Sequence, residues 1–114
     1  MKQIQVVPKA QVDLFRLISG RREGIEASRT NAGAFTVASE ARKGNPRTET
    51  WKHRNKRWPR GRVKIAQGMG GVVLAQVMCK ADAEVESELL GAFVAWLDRN
   101  CGDSISAISI HNSD

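Results

Sequence analysis

Apolar and polar residues follow two rhythms along this chain, and each predicts an element. Ile4, Val6 and Val7 mark a short first strand that Pro8 ends. From Pro8 to Ser19 two patterns compete. Pro8 near a start, Val12, Phe15 and Ile18 at helical spacing, and Gly20 just past the end suit a short helix. The run Val12 to Ile18 also suits a strand, and the balance favours the helix. Residues 20–33 show no clear period and read as loop or edge strand. Phe35 and Val37 alternate with Thr36 and Ala38 as a strand, Lys43-Gly-Asn-Pro46 is a turn, and Thr48 to His53 is the returning strand.

Val72 to Cys79 is apolar except for Gln76, which predicts a strand in the middle of a sheet, because neither face is polar. Asp82 is a candidate N-cap, and Glu84, Glu86 and Glu88 follow it where carboxylates favour the positive end of a helix dipole. Val85, Leu89, Phe93, Trp96 and Leu97 then form one stripe of a helix over 83–100, widened by Leu90 and Val94. Arg99 falls in its last turn, and Asn100 or Gly102 can take a left-handed cap. Ile108 and Ile110 alternate with serines in a closing strand, 104–110. The sum is an α+β fold, an antiparallel sheet of about five strands with the 83–100 helix packed on one face as a two-layer sandwich. The 114 residues suit a single domain spanning 1–114.

Charge changes this picture in one place. Lys and Arg total 18 against 12 acids, a net +6. Residues 42–64 hold ten basic side chains and one acid, Glu49, whereas residues 65–114 hold two basic and seven acidic ones. Within the basic stretch, alternation points Lys52, Arg54 and Lys56 one way and Trp51 and His53 the other. Arg62 and Lys64 share a face opposite Val63 and Ile65, and Trp58-Pro59-Arg60-Gly61 reads as the turn between the two halves. A β-hairpin at 47–64 with a greasy underside and a cationic outer side follows.

Such a face can track a phosphate backbone and release its counterions. The expected contacts are Arg47, Lys52, Arg54, Lys56, Arg57, Arg60, Arg62 and Lys64, with Trp58, or Trp51, stacking on an unpaired base. DNA or RNA is the expected partner, bound without catalysis; an acidic protein surface is the alternative, and a solvated face with no partner the bland reading. No helix-turn-helix or zinc finger is present, so recognition of a particular base sequence is not implied.

Other chemistry is less well provided for. Gly68-Met-Gly-Gly71 superficially matches a phosphate-binding loop, but a strand follows it where such a loop needs a helix, so a hairpin turn with positive φ is expected. His53, His111, Cys79 and Cys101 have none of the short spacings of zinc sites, and no metal or cofactor is expected. A small ribonuclease would need a base such as His53, with Glu49, Glu40 and the arginines near it. Residues 49 and 53 lie about 13 Å apart along a strand, too far for a direct hydrogen bond. The two distant cysteines suggest free thiols in a reducing, cytoplasmic setting, and no apolar run approaches a signal peptide or membrane span. A free sheet edge leaves homodimerisation open.

Overall fold

The computed structural model describes residues 2–10, 12–27, 35–40, 47–53, 60–79 and 82–112. In chain order these form β1 (Lys2–Pro8), α1 (Leu14–Ala27), β2 (Phe35–Glu40), β3 (Thr48–His53), β4 (Arg62–Gln67), β5 (Val73–Met78), α2 (Ala83–Cys101) and β6 (Ile105–Asn112). The strands make one antiparallel sheet in the order β2-β3-β4-β5-β1-β6. The fold is therefore α+β, with six strands rather than about five.

Period-two alternation builds the core. Ile4 and Val6, Trp51, Val63 and Ile65, and Val73, Ala75 and Val77 all turn to the same side of the sheet and are buried. There they meet Leu14, Phe15 and Ile18 of α1 and Leu89, Phe93, Trp96 and Leu97 of α2 in a single cluster. Both helices thus cover one face and leave the other open. Phe35 ties the β2 end to α2, its ring 5.7 Å from Trp51, 6.0 Å from Phe93 and 6.3 Å from Trp96. The Phe93 and Trp96 pairs are edge-to-face, and pairs of this kind add about 0.5–1.5 kcal/mol each beyond the area they bury.

The 83–100 helix matches its sequence pattern. Asp82 caps it, accepting from the backbone N–H of Glu84 and of Val85 at 3.1 Å. Its end differs from expectation: Gly102 has φ −54°, right-handed and not the left-handed cap, and the chain continues into a 3-10 turn, Gly102–Ser104. Asn100 instead donates its side-chain amide to the Trp96 carbonyl at 2.9 Å.

The first helix departs further. It starts at Leu14 and runs through residues 20–27, part of the stretch read as loop or edge strand. Two features hid it. Gly20 looks like a terminator, yet a side chain there would meet open space, so this glycine costs about 1 kcal/mol of propensity without ending the helix. The inward stripe also continues through Arg22, a buried cation that breaks the apolar period between Ile18 and Ile25. Asp13 accepts from the Arg16 backbone N–H at 3.2 Å and caps this helix.

The glycine-rich stretch is the hairpin turn expected from it. Gly68 N–H donates to the Val72 carbonyl at 2.7 Å, closing β4 onto β5. Gly70 and Gly71 take φ of +68° and +80°, the left-handed region that favours glycine.

Candidate nucleic-acid interface

The open face of the sheet follows from the same alternation that builds the core. Because Trp51 pairs with Val63 and both are buried, Thr50 and its partner Lys64 point outward. Extending that register one step sets Lys52 opposite Arg62. Lys52 and Lys64 are exposed and Arg62 is half-buried, with Nη1 donating to the Gly61 carbonyl at 2.8 Å. Arg62 and Lys64 stand two residues apart on one strand, about 6.8 Å, and the neighbouring strand is about 4.8 Å away. Three cations are thus brought onto one plane.

The residues of β1, β5 and β6 on that plane include no Lys, Arg, Asp or Glu. Register places Gln76 beside Lys64, Gln3 beside Gln76, and Gln5 beside Leu74, while Ser109 and His111 continue it on β6. Glu23, Glu84, Glu86, Glu88 and Asp98 lie on the helices, Asp13, Asp82 and Asp103 flank them, and Glu49 faces inward. Among the residues whose side chains are described, no carboxylate stands on the open face.

Arg47 does not join it. Its Nη1 donates to both Asp13 oxygens, at 2.8 and 3.0 Å, so it clasps β3 to the start of α1 on the helix side. That guanidinium, together with the Arg16 backbone N–H, holds the Asp13 carboxyl below its usual range. Beside this pair lies an open depression of about 470 Å³ lined by Phe15, Arg16, Ser19, Gly20, Glu23 and Arg47. Arg60 is exposed in the turn before β4. Arg54, Lys56, Arg57 and Trp58 lie outside the described residues, as does the turn at Lys43–Pro46.

Of the two tryptophans considered for stacking, Trp51 is fully buried and therefore cannot reach a base. Its role is internal. Trp51 Nε1–H donates to Glu49 Oε1 at 3.0 Å, and Glu49 Oε2 accepts from the Ser19 hydroxyl. Arg22 Nε stands 3.8 Å from Glu49 Oε1, and its guanidinium carbon lies 5.8 Å from the Trp51 ring centroid. This polar knot pins α1 to β3 inside the core. Sequence reasoning missed it because its members are 2 to 32 residues apart and no local pattern joins them. The outward glutamines were also missed, although Gln3 and Gln5 alternate visibly with Ile4 and Val6.

Of the parts considered for RNA cleavage, Glu49 and His53 have described side chains. Both Glu49 oxygens hold core partners. His53 is half-buried, edge-on to Phe35 at 5.0 Å, and burial lowers its pKa. Among the described residues, no three His, Cys, Asp or Glu side chains gather as metal ligands. Cys79 and Cys101 form no disulfide; burial raises the Cys101 pKa to about 11. No helix among the described residues is long and apolar enough to cross a membrane. Compared with known protein families, curated proteins and solved structures, the chain has no match.

Proposed function

We propose that this protein is a non-catalytic nucleic-acid-binding module that lays the open face of its sheet along a phosphate backbone. One observation carries the reading: Lys52, Arg62 and Lys64 share that face with hydrogen-bonding glutamine and threonine side chains, while the carboxylates whose side chains are described sit elsewhere. Cations on such a plane release counterions when phosphates replace them, which drives binding with little regard to base sequence. The uncharged Gln3, Gln5, Gln76 and Thr50 add donors for phosphate and sugar oxygens. The buried Trp51 favours backbone contact over base stacking from this face. Cysteines without a disulfide suit a reducing cytoplasmic compartment.

The test is fluorescence anisotropy with labelled 20-nucleotide single strands and duplexes at about 50 mM salt, where phosphate contacts are strong. The wild type binds, and the double variant Lys52→Glu/Lys64→Glu, altered only at exposed positions, loses binding while keeping its circular dichroism. If neither nucleic acid binds the wild type, the reading is wrong, and an acidic protein surface becomes the partner to seek.

A further inference from the structure

The far edge of the sheet carries a second, independent feature. A row of inward side chains crosses the sheet from Ile65 through Ala75 and Ile4 to Ile110, each residue paired with the next. The first three are 0%, 1% and 1% exposed, but Ile110 is 50% exposed. The apolar layer therefore runs off the edge at β6 uncovered. β6 itself, Ile-Ser-Ala-Ile-Ser-Ile-His-Asn, is eight residues long with no proline and no Lys, Arg, Asp or Glu. Natural sheets protect exposed edges with short strands, charges, prolines or bulges. Apart from one register shift at Ser106, where β6 meets Pro8 of β1, β6 carries none of these protections, and an uncharged edge strand of this length is a template for another strand.

We propose that the occupant is a second copy of this chain, its β6 antiparallel to the first about a two-fold axis at Ser109. Ile108 and Ile110 are equidistant from Ser109, so that register seats Ile108 of each copy opposite Ile110 of the other, on the inward side. Each half-exposed Ile110 gains an isoleucine cover, and the core rows join across the axis. Ser109 faces its own copy on the outward side, and Ala107 faces His111. An isologous contact must match itself, and this spacing does. Electrostatics agree. The cationic strands β3 and β4 lie towards the opposite edge. The two copies of β4 stand seven strand spacings apart, about 34 Å, against a screening length of about 8 Å at physiological salt. Copies meeting at β6 thus keep their like charges separated.

Sedimentation and disulfide capture test this. The wild type is expected to sediment at twice its 12.5 kDa chain mass at micromolar to millimolar concentration. Ile110→Lys, at a half-exposed position, is expected to give the monomer with unchanged circular dichroism. Under mild oxidation Ser109→Cys should form a covalent dimer, because directly opposed strand residues have Cα atoms about 4.5–5.5 Å apart, within disulfide range. Ser106→Cys should not, because it faces Asn112 of the other copy, leaving the two new thiols about 20 Å apart along the strands. A wild type that stays monomeric up to millimolar concentration, an Ile110→Lys dimer, or equal capture at 106 and 109 would each overturn the proposal.

Discussion

Replacing Glu49 by Ala is the most informative perturbation of the core. Glu49 accepts from Trp51 Nε1 and from the Ser19 hydroxyl and faces Arg22; the Arg22 and Glu49 side chains are 7% and 13% exposed. Without the carboxylate, a donor on a fully buried tryptophan loses its acceptor, which costs about 1–3 kcal/mol. Arg22 also loses its facing counter-charge, and removing one partner of a buried pair costs about 3–5 kcal/mol. The two effects share one carboxylate and do not add, so the expected loss is about 3–5 kcal/mol, a large part of the roughly 5–15 kcal/mol that holds a domain folded. At about 4 °C per kcal/mol for a chain of this size, that lowers Tm by about 12–20 °C. Urea titration followed by tryptophan fluorescence reads the loss directly. Glu49→Gln keeps an acceptor for Trp51 and should lose less. The double variant Arg22→Met/Glu49→Leu should recover part of the loss, since apolar replacement of a buried pair is often near neutral. A Glu49→Ala protein within about 1 kcal/mol of wild type would refute the knot as a support of the α1–β3 packing.

Other consequences follow from single groups. Burial lowers the His53 pKa, so the folded state binds fewer protons than the unfolded chain; stability is complete above the unfolded value of about 6.5 and falls as pH drops below it. Urea unfolding at pH 5 and pH 7.5 should show this difference, and His53→Gln should reduce it. Cys101, with a thiol pKa near 11 and 3% exposure, should not react with a thiol reagent at pH 8 until urea unfolds the protein, whereas the half-buried Cys79 should react first. Gly71→Ala, at φ +80° in the β4–β5 turn, should destabilise by about 1 kcal/mol or more in the same titration.

Much of the fold was legible because its strands obey simple alternation. Thr48 to His53 is the strand expected, and Val72 to Cys79 contains β5, which lies between β4 and β1 inside the sheet. The long helix was legible from its stripe and its Asp82 cap. What escaped was decided by contacts distant in sequence. Arg22 occupies a core position that no periodicity assigns to a cation, so α1 looked shorter than it is. Arg47 belongs by composition to the basic stretch, but Asp13, thirty-four residues earlier, takes it to the helix side. The orientation of Lys52, Arg62 and Lys64 was readable, because a buried Trp51, Val63 and Ile65 leave them no other side. Gln3 and Gln5 alternate visibly with Ile4 and Val6, but only the strand order brings them onto the same face as the cations.

The salt dependence of nucleic-acid affinity tests the central claim most directly. Three phosphate contacts from Lys52, Arg62 and Lys64 give a slope of log K against log salt of about −2.7, or about 40-fold weaker binding between 50 and 200 mM. That slope is a minimum, because cations between residues 54 and 60 can only add to it. Lys64→Ala should make the slope shallower by about 0.9, and Arg47→Ala should leave it unchanged, because that guanidinium is held by Asp13. A slope near zero, or a loss on Arg47→Ala equal to that on Lys64→Ala, would contradict the open sheet face as the binding surface.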